Sequence, residues 1–258
     1  MGNNKLKISV VTVSYNAAET IEETIQSVVN QTYDNIEYII IDGGSTDGTL
    51  DIIKKYADRL AYWVSEPDNG IYDAMNKGIA VASGDYINFM NAGDKFINSK
   101  IVDLLSKQIV ESDDVIYGNW KIDDYSNKIR YPRNLNNMKF GSCLCHQSTF
   151  TKTSLLKLRG YDTSYRIAAD YEKACSLYTQ GYKFKYINEV IADYSIDGVS
   201  DIQTMLSLYE AKIISNKYFT SDFTNIYFLY SKSKAKMKAL LKKMVGMNLF
   251  TKIRYLIK

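Results

Sequence analysis

The chain has 258 residues, 46% hydrophobic and 24% charged, with 14 glycines and two prolines. That length suits one large domain, or one domain with an appendage, around a substantial core, and the composition excludes a disordered or collagen-like chain. Net charge is only +3, but nine basic residues and no acids fall between Ser231 and Lys258, which leaves the first 230 residues at −6 and makes the end a basic tail.

The amino terminus, Met-Gly-Asn-Asn-Lys-Leu-Lys, has no apolar signal core, so no secretion is expected, and Leu6 stands where a myristoylation motif needs Ser or Thr. Three cysteines without repeated spacing favour reduced thiols in a cytoplasmic protein. No apolar stretch approaches the length that spans a bilayer.

In chain order, the β-branched run at 7–14 predicts a strand buried on both faces, and a helix follows over about 17–30 with Ile21, Ile25 and Val28 on one side. A second buried run at 36–41 enters Asp42-Gly-Gly-Ser-Thr-Asp-Gly, and a helix starts near Gly48. A weaker strand at 61–64, a helix over 71–82 and a strand at 85–90 lead to Phe-Met-Asn-Ala-Gly-Asp at 89–94. This alternation predicts an α/β protein with an open, mostly parallel, Rossmann-like sheet flanked by helices. Such sheets bind ligands at the carboxyl ends of their strands, and polar residues recur at each of those ends.

Beyond Lys95 the pattern loosens. A helix near 100–110, a strand at 115–117 and hairpin-like sequence to Tyr131 precede Cys-Leu-Cys-His-Gln-Ser-Thr-Phe at 143–150. Helices near 153–158 and 169–180, a strand pair at 183–187 and 190–194, and two helical stretches complete the reading.

Asp42 is a carboxylate at a strand end, suited either to hydrogen-bond a base or sugar or to cap its own loop. The glycines after it lack both the dinucleotide and the P-loop spacing. Asp47 reads as a helix cap before Thr49. His146 is the only histidine, which argues against a zinc cluster or a Ser-His-Asp arrangement. Asp170 and Glu172 open a helix, where acids favour the dipole and where a cleft-facing carboxylate serves as a general base.

The segments "VVTVSYNAAETIEETIQSVVNQTYDNIEYIIIDGGSTDGT", "SEPDNGIYDAMNKGIAVASGDYINFMNAGD", "HQSTF" and "GYD…ADYE" resemble family 2 glycosyltransferases, which have the GT-A fold; the likeness spans about 7–195. It implies inverting transfer of a sugar from a nucleotide-sugar donor, normally with Mg²⁺ or Mn²⁺. By position, Tyr15 would lie against the base and Asp42 would hydrogen-bond it, uracil being usual. Asn16, Asp73, Asn76 and Asn91 would line the donor side. Asp94 would hold the metal and Asp170 would take the acceptor hydroxyl's proton, with His146 and Glu172 as acceptor-side candidates. Many members carry several acids where this chain has Asn91-Ala92-Gly93-Asp94, so metal affinity without donor should be weak.

Residues 1–200 are therefore expected to form the GT-A domain and 201–258 a helical extension. In its tail, Lys232–Lys258, an amphipathic lysine-rich helix is expected to meet an anionic membrane surface at its inner face, the alternative being a helix packed on the domain. No nucleic-acid partner is expected, because no other basic patch exists. A glycan or lipid-linked glycan acceptor, and a nucleotide-sugar-binding protein without transferase activity, remain the acceptor reading and the rival function.

Overall fold

A computed structural model of the chain describes residues 5–123, 128–195, 204–219, 227–233 and 236. Strands β1 (Ile8–Ser14), β2 (Ile36–Asp42), β3 (Tyr62–Ser65) and β4 (Tyr86–Phe89) alternate with helices α1 (Ile21–Val29), α2 (Thr49–Lys55) and α3 (Ile71–Val81). They pair in parallel in the order β3-β2-β1-β4. Ile8 and Val10 of β1 pack with Ile21, Ile25 and Val28 of α1. Val11 and Val13, pointing the other way along the same strand, pack with Tyr72, Met75 and Ile79 of α3. A strand covered on both faces must be apolar at every position, which is why it reads as a continuous run. Contact is close on the α3 side: a Cβ on Gly78 would fall 2.5 Å from Val11 Cγ1.

The second half adds antiparallel pairing to the sheet. After β5 (Lys95–Phe96) and α4 (Ile101–Ser106) come β6 (Val115–Asp123), β7 (Ile129–Arg130), β8 (Thr149–Lys152), α5 (Thr153–Leu158), α6 (Ala169–Thr179), β9 (Phe184–Ser195) and α7 (Thr204–Tyr218). β8 joins β4 to β6 by antiparallel pairing on both sides, and β7 hairpins back onto β6. The expected strand pair at 183–187 and 190–194 is instead one strand, β9. Both of its halves run parallel to β6, with a register irregularity between Tyr117↔Tyr186 and Asn119↔Val190. Helices expected over 17–30 and 100–110 are shorter, at 21–29 and 101–106.

α7 packs on α6, and Ile214 completes a core with Met138, Cys143, Ala168, Tyr171 and Cys175. Except for Lys232, Ser233 and Lys236, the basic tail lies outside the described residues. Among those described, no helix is long and apolar enough to cross a membrane.

Candidate active site

The carboxyl ends of β1, β2 and β4 meet along one edge. Tyr15 directly follows β1 with its ring 67% exposed. Asn16 adopts φ 47°, in the left-handed region that a short polar side chain tolerates. It accepts from Thr46 N–H through Oδ1 (3.0 Å) and donates its own N–H to Ser45 Oγ (2.8 Å), tying the β1 loop to the β2 loop.

Asp42 is fully buried. Its Oδ1 accepts from Ser14 Oγ (2.9 Å) and Ser45 Oγ (2.6 Å), and its Oδ2 from Gly44 N–H (3.1 Å), Ser45 N–H (2.9 Å) and Ser65 Oγ (2.6 Å). Burial pushes its pKa up, but these donors outweigh it and hold the carboxyl below its ordinary range. Of its two sequence readings, the loop cap is the arrangement present, and no acceptor position is left over for a base.

The other donor-side residues divide similarly. Asp73, in the first turn of α3, accepts from Asn69 N–H (3.0 Å). Asn76 forms a two-point clasp on Tyr161, donating to its carbonyl (2.9 Å) and accepting from its N–H (2.7 Å). Its amide therefore pins the Gly160–Tyr161 backbone to α3, and its expected place lining the donor is not where its polar atoms are engaged.

The 89–94 segment continues beside β1, with Met90 N–H on Val11 O and Ala92 N–H on Val13 O. Asp94 is 5% exposed, with Oδ2 accepting from Gln147 Nε2 (2.7 Å) and Oδ1 from Ser195 N–H (3.0 Å). Burial raises its pKa against the pull of these donors. The Cys145 thiol, kept protonated by burial, donates to Gln147 Oε1 (2.9 Å) and so turns the Gln147 amide nitrogen toward Asp94. Asn91, 9% exposed, directs Nδ2 at His146 Nε2 (3.0 Å), while its Oδ1 is buried with no partner among the described residues.

With Asn91 as donor, the His146 ring proton sits on Nδ1, 3.3 Å from Asp170 Oδ2. Asp170 Oδ1 accepts from Tyr72 OH (2.9 Å), whose oxygen also lies 2.6 Å from Ile167 O. Burial raises the Asp170 pKa, but the hydrogen bonds from His146 and the Tyr72 hydroxyl outweigh it and hold the carboxyl below its ordinary range. Its side chain is 24% exposed, beside a cavity that Phe89, Leu144, His146 and Tyr161 also line. Rings of Tyr72 and Phe89 pack on Tyr161 at 5.4 and 5.5 Å.

The loop before Asp170 is held from α7. Glu210, 5% exposed, accepts from the backbone N–H groups of Arg166, Ile167 and Ala168 at 2.8–3.0 Å. Glu172 has no exposed side chain, and its Oε1 takes Arg159, Lys217 (2.8 Å) and Tyr218. Its expected acceptor-side role is corrected by this enclosure: it is the buried anion of the α6–α7 contact. Sequence reasoning missed Tyr72, Gln147 and Glu210. Gln147 adjoins His146 in "HQSTF", a signal available in the motif, whereas Tyr72 and Glu210 reach their partners only through the tertiary fold.

A hard divalent cation prefers oxygen donors. Asp94, with one protein hydrogen bond on each oxygen, and the unpartnered Asn91 Oδ1 supply two such donors three residues apart. That set fits Mg²⁺ or Mn²⁺ with most of the shell left to phosphate and water. No group of three or more His, Cys, Asp or Glu placed for a metal occurs among the described residues.

The α/β fold thus carries an exposed aromatic ring and a metal-compatible acid at its strand ends, with an oriented carboxylate at the start of α6. The chain belongs to glycosyl transferase family 2, whose model matches residues 9–187. An uncharacterized glycosyltransferase of Mycobacterium tuberculosis is 37% identical over 174 residues, which is 64% of this chain and 66% of the relative. This chain thus matches just under two thirds of that relative's length. Among solved structures, S. aureus TarS in complex with UDP superposes with a TM-score of 0.65 at 18% identity, over 86% of this chain and 70% of that one. A mannosyltransferase from Pyrobaculum calidifontis in complex with GDP-Man and Mn²⁺ gives 0.66 at 18%, over 89% and 70%. These likenesses fix the fold as GT-A.

Proposed function

We propose that the chain is an inverting glycosyltransferase. It moves a sugar from a nucleotide-sugar donor, UDP-linked, to a saccharide or lipid-linked saccharide acceptor of a cell-surface glycan. The observation that carries this reading is Asp170, an ionised carboxylate at a cavity wall with each oxygen held by a separate side chain. An acceptor hydroxyl entering there attacks the anomeric carbon from the face opposite the diphosphate. The new C–O bond forms as the bond to the β-phosphate oxygen breaks, the hydroxyl proton passes to Asp170, and the nucleoside diphosphate leaves with the electron pair. Tyr72 and His146 hold Asp170 in one orientation, so little reorganisation accompanies attack. Tyr15 offers its ring to the base. Asp94 and Asn91 would hold Mg²⁺ or Mn²⁺, which neutralises charge developing on the leaving phosphate.

Removing the base while keeping its shape tests this. Asp170→Asn should lower transfer by about 10²–10⁴-fold while nucleotide binding, followed by calorimetry, is unchanged. Near-normal turnover would sink the base assignment. Nucleotide-sugar binding by the wild-type chain with no transfer to any acceptor class would instead favour the rival reading of a binding protein.

A further inference from the structure

We infer that Asp68, not Asp42, is the carboxylate that reads the donor's base, accepting a hydrogen bond from an N–H on the base's pairing edge. This rests on the nucleotide-sugar reading above. Asp42 cannot serve without dismantling its own loop, because it is fully buried and already accepts five hydrogen bonds. The residue after it, Gly43, leaves a bare floor at the end of β2. A Cβ built there would fall 2.5 Å from Asp68 Oδ2 and 3.4 Å from Tyr15 Cδ2. Carboxylate and ring edge therefore stand over the same glycine. A planar ligand stacked on the 67% exposed Tyr15 ring would turn its edge toward Asp68.

The acceptor is also preset. Asp68 Oδ1 takes Gly70 N–H (2.8 Å), whereas Oδ2 has no hydrogen-bond partner among the described residues. The segment carrying it is anchored by Glu66 N–H on Asp42 O (3.0 Å) and by Lys77 Nζ on Pro67 O (3.1 Å) and Glu66 (2.8 Å). An anionic acceptor held beside an aromatic face selects a base with an N–H donor, such as the N3–H of uracil or the N1–H of guanine. Both share the recognising chemistry, and methylated analogues separate them.

Calorimetry of the full chain with Mn²⁺ would use UDP, GDP, N3-methyl-UDP and N1-methyl-GDP. Wild type should bind UDP or GDP at least tenfold more tightly than its methylated counterpart, the order expected for a hydrogen bond to a charged group. Asp68→Asn keeps the oxygen that Gly70 needs and replaces Oδ2 with a donor, so binding of the preferred nucleotide should fall about 10- to 100-fold. Asp68→Ala, which leaves room for the methyl group, should bind parent and methylated nucleotides alike. Thermal melting of both variants would verify folding. If Asp68→Asn binds the preferred nucleotide as tightly as wild type, or Asp68→Ala keeps the full methyl penalty, Asp68 is not the reader while the nucleotide-sugar reading stands. If wild type binds neither UDP nor GDP, that reading fails and this inference with it.

Discussion

Replacing Glu172 separates a structural acid from an acceptor-binding one. Its side chain is fully enclosed, while its partners Arg159 and Lys217 keep 46% and 43% of their side-chain exposure. Breaking a buried ion pair typically costs 3–5 kcal/mol when the remaining charge is stranded. Here both cations can return to water, so the cost is smaller. Each half-solvated pair contributes about 1 kcal/mol or less, and the Tyr218 hydroxyl about 1 kcal/mol as a hydrogen bond to a charge that Gln retains only in part. Glu172→Gln should therefore destabilise the chain by about 2 kcal/mol, a fall in melting temperature of roughly 4–8 °C for a chain of this length.

Burial raises the Glu172 pKa, but Lys217, Tyr218 and Arg159 outweigh it and the net shift is downward. A carboxyl depressed in the folded state contributes stability above its unfolded pKa and loses it as pH falls. The difference between wild type and Glu172→Gln should therefore be full at pH 7 and shrink on acidification below the ordinary glutamate pKa. Melting curves from pH 7 to pH 3 measure this, alongside acceptor KM at pH 7. An unchanged melting temperature with a raised acceptor KM would refute the structural assignment and restore Glu172 to the acceptor side.

Two further outcomes follow from the same geometry. Asn76→Ala removes both bonds to the Tyr161 backbone and should cost about 2–3 kcal/mol in urea unfolding; because the Tyr161 ring packs on Tyr72, which bonds Asp170, turnover should fall while donor KM holds, and a raised donor KM alone would mean that Asn76 touches donor. Glu37 accepts from Lys7 Nζ (2.7 Å), Ser9 Oγ (2.6 Å) and Ser83 N–H (2.6 Å), and these overcome burial to take its pKa from 4.5 to about 2. That contribution is complete above pH 4.5 and fades toward pH 2. Discounted for the 39% exposure of Lys7, it is about 1.5 kcal/mol, so Glu37→Gln should flatten the loss of urea stability between pH 7 and pH 3 by that amount, and an unaltered acid slope would count against it.

The first ninety residues were legible because parallel strands buried on both faces leave long β-branched runs, and each crossover helix shows one apolar side. β8 escaped notice because four residues between a 3₁₀ turn and α5 carry too little periodicity. The strand pair was misread at Asn188-Glu189, which looks like a turn in sequence but sits in a register irregularity while β9 stays on β6. At the site, motif order located the Asp94 and Asp170 segments. What it could not supply was the count of donors around each acid. Asp42 and a ligand-reading carboxylate look the same in sequence, since the three serines that saturate Asp42 come from 14, 45 and 65.

That count is also what sorts the polar side chains into framework and function. A carboxylate surrounded by protein donors has no acceptor position to offer a ligand, however close to the cleft its motif lies. Asp42 is saturated in this way, Glu172 is closed off by complete burial, and Asn76 has both its amide groups committed to Tyr161. Among the acceptors left open are Asp68 Oδ2 and Asn91 Oδ1, with Asp94 lightly engaged. They follow the carboxyl ends of β3 and β4, while Asp170, beyond β8, is oriented by two side chains that leave it facing a cavity. In the proposed roles, base reader, cation holder and proton acceptor would lie in the order that base, diphosphate and acceptor hydroxyl take along a nucleotide sugar. On that reading a single acid in Asn91-Ala92-Gly93-Asp94 would suffice for a cation, because the neighbouring Asn91 amide oxygen is unpaired among the described residues and would share the ion.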